Sequence, residues 1–189
     1  MRLPVLVLIL GSCWSSSGAM ITLSILPPPI SVTTGQSIDF MLQISGHTPG
    51  AAPSVGAFDL TVGFDQTLLT PTAVAFGPFL GNTALFEALT SSSLMPSQVN
   101  VAEVSLLPST TLDALQPATF SLATLTFSAK KSGTASLGFT AGVVDDAFGN
   151  KLASVPEPGA LWLVALPVLA LVIGCRRWRL RQIATGYIR

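Results

Sequence analysis

AFDLTVGF, residues Ala57–Phe64, is the stretch on which the fold turns. Phe58, Leu60, Val62 and Phe64 alternate with Asp59, Thr61 and Gly63, so an extended chain carries one apolar and one polar face. A helix would scatter the same side chains around its circumference. LATLTF, residues Leu122–Phe127, has the same half-apolar character. Working outward, runs that read as strands occupy Ile21–Leu26, Ser37–Ile44, Val55–Phe64, Thr72–Phe76, Gln98–Leu107, Phe120–Ala129, Thr134–Thr140 and Lys151–Ala153.

Turn chemistry separates these runs at Thr34-Gly35, Ser45-Gly46, Thr48-Pro49-Gly50, Lys131-Ser132-Gly133 and Phe148-Gly149-Asn150. Short strands between such turns predict an all-β sandwich. Pro27-Pro28-Pro29 is long enough only for a stiff bend between the first two strands. Gly81–Ser97 follows neither period and is expected to be a loop or to carry a short helix around Ala84–Leu89. No internal repeat is evident.

The chain has 189 residues and a formal net charge of zero, which hides an asymmetry. Between Met20 and Ser154, three lysines face eight acids, leaving −5. Arg176, Arg177, Arg179, Arg181 and Arg189 all lie behind a second apolar run. An acidic domain repels phosphate backbones, so nucleic-acid binding is disfavoured. The two cysteines, Cys13 and Cys175, fall in or beside the apolar ends, so the central domain has no disulfide and no cysteine-based metal site.

Both ends read as export signals. Arg2, the apolar Val5–Leu10 and the small residues Ser17-Gly18-Ala19 make residues 1–19 a signal peptide, with cleavage between Ala19 and Met20. A competing reading takes Leu10-Gly11-Ser12-Cys13 as a lipobox, with Cys13 lipidated. At the other end, Ala160–Cys175 is a sixteen-residue run without charge. As a helix it spans about 24 Å at ~1.5 Å per residue, short against a hydrocarbon core of ~30 Å. Trp162 and Trp178 near its ends suit the membrane interface, and Pro167 is tolerated better in a membrane helix than in a soluble one. The arginine cluster then stays cytoplasmic and the acidic domain, residues 20–154, lies outside.

Val155-Pro156-Glu157-Pro158-Gly159, the apolar run and Arg176-Arg177-Trp178-Arg179 together resemble the PEP-CTERM sorting signal of Gram-negative bacteria. The resemblance covers residues 155–189 and implies recognition of Pro156, Glu157 and Pro158 by exosortase, a membrane cysteine protease-transpeptidase. Arg176, Arg177 and Arg179 form the membrane stop. Carriers of this tail are surface or matrix proteins linked to exopolysaccharide. The chain departs from the pattern by continuing about ten residues past the arginine cluster.

The central domain resembles a cohesin-type β-sandwich. The residues that carry the likeness are TTGQSIDFMLQISG at Thr33–Gly46, VGAFDLTVGFDQTLLTPTAVAFGPFL at Val55–Leu80, FSLATLTFSAKKSGTASLGF at Phe120–Phe139 and VVDDAFGN at Val143–Asn150. At the corner where that family has a Tyr-Asp-Pro-like turn, this chain has Phe64-Asp65-Gln66. The resemblance implies a jelly-roll of about nine strands. It does not imply dockerin binding, because a fold does not fix a function.

Catalytic groupings are sparse. His47, the one histidine, sits in a Gly/Pro loop without a carboxylate near it in sequence and reads as a loop residue. Asp145-Asp146 near Asn150 offers oxygens for Ca²⁺ but lacks EF-hand spacing, so a polar turn between two late strands is the plainer reading. Asp59 and Asp65 read as solvated edge carboxylates. The expectation is an exported, non-enzymatic binding or structural module that needs no cofactor and is sorted through its tail. The alternatives are a permanently anchored single-pass protein with a ligand- or glycan-binding domain and, less favoured, a secreted hydrolase.

Overall fold

The computed structural model describes residues 21–155. Eleven strands form in this order: β1 (Thr22–Leu26), β2 (Ile30–Val32), β3 (Ser37–Ser45), β4 (Val55–Phe64), β5 (Leu69–Phe76), β6 (Ala88–Leu94), β7 (Gln98–Ser105), β8 (Thr119–Ala129), β9 (Gly133–Ala135), β10 (Leu137–Asp146) and β11 (Lys151–Val155). One helix, α1 (Ser109–Leu115), joins β7 to β8, and a single 3-10 turn occupies Thr83–Leu85. Nine of the strands make two facing antiparallel sheets, β1-β3-β8-β5 and β11-β10-β4-β7-β6. The remaining two, β2 and β9, pair as a short ribbon. The expected all-β sandwich is present, with Pro27-Pro28-Pro29 separating β1 from β2.

Alternation builds the core. Phe58, Leu60 and Val62 of β4 are buried, and they meet Phe40, Leu42 and Ile44 of β3 and Leu122, Leu125 and Phe127 of β8 in one apolar cluster. Phe64, last in the β4 series, is half-buried and packs edge-on against Phe127, with ring centroids 4.9 Å apart. The β8 strand changes phase midway. Leu122 and Ala123 are both buried although they are neighbours, because the register with β3 slips between Leu42 and Gln43. A bulge of this kind lets one strand keep its apolar side chains inward across the break. Pro71 is tolerated in β5 because β5 is a sheet edge, and the register again slips between Pro71 and Ala73.

Several boundaries differ from those read in the sequence. Gly81–Ser97, expected as a loop or short helix, supplies the 3-10 turn and then β6. The sequence ALTSSSL hides a strand because β6 is the outermost strand of its sheet and only Ala88 is buried, so no apolar alternation is required of it. The run at Thr134–Thr140 divides into β9 and a longer β10 that continues to Asp146. β5 starts at Leu69 rather than Thr72, and β11 extends to Val155, opposite Gly142, rather than stopping at Ala153. Helix α1 and strand β2 had no sequence signal. Among the described residues no helix is long and apolar enough to cross a membrane.

Candidate functional site

The sequence-predicted sorting and membrane residues lie outside the described residues: Ala19 and Met20, Pro156, Glu157 and Pro158, Arg176, Arg177 and Arg179, with Cys13 and the apolar run 160–175. The last described residue, Val155, lies in β11, an edge strand of the five-stranded sheet.

The carboxylates singled out in the sequence organise backbone. Asp146 is buried, and its Oδ1 accepts the Phe148 and Asn150 amides, both at 2.8 Å, while its Oδ2 accepts Asn150 Nδ2 at 2.9 Å. Burial raises its pKa, but these donors outweigh burial and hold the carboxyl below its ordinary value. Gly149, at φ 81°, closes the turn in a conformation that favours glycine. The pair Asp145-Asp146 therefore ends a strand and caps its turn, and Asp146 has already committed its oxygens to N–H donors. Asp65 plays a similar part at the β4–β5 corner. Its Oδ1 accepts the Thr67 amide at 2.8 Å, and hydrogen bonds from Thr67 keep its carboxyl below the ordinary range. Asp59, expected at an edge, instead sits on central strand β4 on the outward face, where Asn100 Nδ2 donates to its Oδ1 at 2.7 Å.

His47 lies in the β3–β4 loop as read, but its ring is buried and its Nε2 has no partner. It lines a cavity of about 370 Å³ with Ile21, Thr48, Pro53, Lys151 and Leu152, and no carboxylate shares that wall. No group of three or more His, Cys, Asp or Glu residues among the described residues is placed to hold a metal ion.

Two features beyond those singled out in the sequence stand out. The first is the outward face of the five-stranded sheet. Leu89 of β6 and Val104 of β7 are register partners and remain 60% and 47% exposed. Leu106, just beyond β7, is also exposed. Beside Val104, a shallow groove of about 190 Å³ runs between the sheet and α1, walled by Ala57, Leu107, Leu112 and Asp145. Farther along the face, Asn100 bridges Asp59 and Thr61. The outward face thus has an apolar end at Leu89 and Val104 and a hydrogen-bonded polar centre at Asn100.

The second feature is Glu103. It continues the inward series Val99, Val101, Glu103 on β7 and is only 1% exposed. Neither carboxylate oxygen has a hydrogen-bond partner. Burial pushes the group up to about 7. It forms part of the wall of a cavity of about 360 Å³, together with Phe76, Gly77, Pro78, Gly81, Asn82, Thr83 and Thr90.

The sequence matches no family model, and no curated protein matches it. The fold, by contrast, has solved counterparts. The sixth cohesin of scaffoldin B from Acetivibrio cellulolyticus, solved with a dockerin, is 17% identical, with 70% of this chain and 91% of that chain covered and a TM-score of 0.54. The cohesin–dockerin complex of type I from Clostridium thermocellum gives 14% identity, 73% and 93% coverage and a TM-score of 0.56. A cohesin module from a family 33 glycoside hydrolase of Clostridium perfringens gives 16% identity, 71% and 90% coverage and a TM-score of 0.51. At these identities the likeness is one of fold: the described residues form a cohesin-like β-sandwich.

Proposed function

We propose that this chain is an exported, non-enzymatic binding module, processed by exosortase through its C-terminal tail on its way to the cell surface or the exopolysaccharide matrix of a Gram-negative bacterium. The observation that carries the reading is the junction at the end of the domain. Val155, the last described residue, lies in strand β11, and the next three residues in sequence are Pro156, Glu157 and Pro158. Proline cannot donate to a ladder and resists helix, so the motif suits an extended segment presented to a protease cleft. The apolar run and arginine cluster behind it supply a temporary membrane hold. The binding half of the reading draws on the fold shared with modules solved in complex with dockerins. The partner is a protein, and the outward face carrying Leu89, Val104 and Asn100 is the contact surface.

The test follows the tail in cells with and without exosortase, by immunoblot of membrane, surface and matrix fractions. The wild-type protein loses its tail and leaves the membrane only where exosortase is present. Replacing Pro156, Glu157 and Pro158 with alanine leaves an uncleaved, membrane-bound form in both strains. A wild-type protein that keeps its tail in both strains contradicts the sorting reading and leaves the permanent single-pass anchor in its place.

A further inference from the structure

The two sheets of the sandwich have four edge strands between them, and three of these are blunted. β5 carries Pro71 and a register slip, and β11 begins on Lys151 and pairs with β10 through another slip. β1 is five residues long and runs into Pro27-Pro28-Pro29. β6 is different. Its seven residues, Ala88–Leu94, hold no proline and no charge, pair with β7 without a slip, and are exposed from Leu89 onward. The two ends of that ladder show which way the backbone of β6 points. The Leu106 amide donates to the Glu87 carbonyl at 2.7 Å, and the Met95 amide donates to the Gln98 carbonyl at 2.9 Å. An antiparallel ladder bonds alternate residues, so with no slip between these ends the bonds to β7 fall on Leu89, Ser91 and Ser93. The amides and carbonyls of Thr90 and Ser92 therefore point away from β7, into the open edge.

We propose that β6 is the contact strand of a homodimer, in which it pairs antiparallel with β6 of a second copy about a two-fold axis through Ser91. In that register Thr90 meets Ser92 of the second copy, and Ser92 meets its Thr90. Each of these pairs exchanges N–H···O bonds in both directions, so the open groups of the two edges satisfy one another. Ser91 sits opposite itself as a non-hydrogen-bonded pair, with Cα atoms about 4.5 Å apart. The side chains that meet are serines and threonines, whose hydroxyls pair across strands. Glu87, the nearest charge along the strand, precedes it, so the two copies hold theirs about 27 Å apart, at ~3.4 Å per residue. A second copy suits this edge better than an unrelated peptide does. An added peptide strand gains specificity from pockets for alternate side chains, and the small, exposed Ser91, Ser92 and Ser93 give it little to read. Pairing with itself requires only small uncharged side chains and open groups in phase, which β6 has. One strand pair buries less than the roughly 1,200 Å² of a standard interface, so dimer and monomer exchange reversibly. The inference rests on the backbone of an edge, and on neither the outward face nor the tail.

Sedimentation equilibrium and oxidative cross-linking of the full chain, held in a neutral detergent, test this. The wild-type chain shifts from monomer towards dimer as its concentration rises. Ser92→Pro removes an open-edge amide without touching the bonds to β7, so it weakens association at least about tenfold and leaves the circular dichroism spectrum unchanged. Ser91→Lys and Ser91→Glu each set like charges opposite one another on the axis and weaken association to a similar degree, and an equimolar mixture of the two variants restores it. That charge pair decides the matter if Ser92→Pro does not fold. With Cys13 and Cys175 replaced by serine, oxidised Ser91→Cys gives a covalent dimer, because ~4.5 Å between Cα atoms lies within the disulfide range of about 4.4–6.8 Å. Ser93→Cys, displaced from the axis, does not. The proposal is overturned if the wild-type chain stays monomeric, which leaves the edge to a strand of another protein. It is equally overturned if the dimer survives Ser91→Lys and Ser92→Pro, as association through the apolar run 160–175 would, or if Ser91→Cys cross-links no better than Ser93→Cys.

Discussion

Glu103 makes the stability of this domain depend on pH in a direction opposite to that of its paired carboxylates. Its folded-state pKa stands at about 7 against an ordinary 4.5, with burial as the cause. The folded chain therefore binds this proton more tightly than the unfolded chain does. The stabilisation is complete below pH 4.5 and is lost as pH rises through about 7. Asp65 and Asp146, both held below 3.8, act the other way, and their contribution is lost as pH falls through their depressed folded values. Thermal unfolding followed by circular dichroism between pH 4 and 8 checks the balance. The melting temperature of the wild-type domain falls from pH 4.5 towards pH 8, and Glu103→Gln flattens that limb. A limb that keeps its slope in Glu103→Gln assigns the pH dependence to another group. The sequence did carry a signal for Glu103, which follows Val99 and Val101 at a spacing of two in QVNVAEVS, and its register opposite Phe58 fixes the same side.

At the scale of elements, legibility followed burial. Strands β3, β4 and β8 cross the middle of the sandwich, and their apolar faces announced them. Strand β6 has a serine run and little to bury, so its hydrogen bonds to β7, rather than side-chain pattern, make it a strand. Helix α1 was invisible for a related reason: it is seven residues long and buries only Leu112. Its role is to deliver Gln116, which follows it and is 1% exposed. The Gln116 amide imitates a neighbouring strand at the start of β4. Its Oε1 accepts the Val55 amide at 2.8 Å, and its Nε2 donates to the carbonyls of Val55 at 2.7 Å and Phe79 at 3.2 Å. Gln116→Leu keeps the bulk but leaves buried backbone groups without partners. A loss of about 2–3 kcal/mol is expected, at roughly 1–3 kcal/mol per unsatisfied group with partial rescue by water. Denaturant unfolding of wild type and variant measures it, and a change near zero means that the backbone at Val55 finds other donors and acceptors.

For the whole molecule, the two apolar ends and the acidic sandwich between them make one arrangement. The sandwich was readable because alternation and turns record burial along the chain, whereas a binding surface leaves no periodic trace. Leu89 and Val104 come together only through the β6–β7 register, and neither stretch alone hints at an exposed apolar pair. Charge separation is the property that unites the parts, with acids concentrated in residues 20–154 and arginines behind the last apolar run. That distribution fits a domain outside and a cytoplasmic stop, the topology that sorting requires. The most direct measurement is the intact mass of the mature protein purified from the surface or matrix fraction of cells carrying exosortase. The account predicts a chain that begins at Met20 and lacks Arg176, Arg177 and Arg179, with its C-terminus in or just beyond Pro156-Glu157-Pro158. A mass that retains the chain through Arg189 contradicts it.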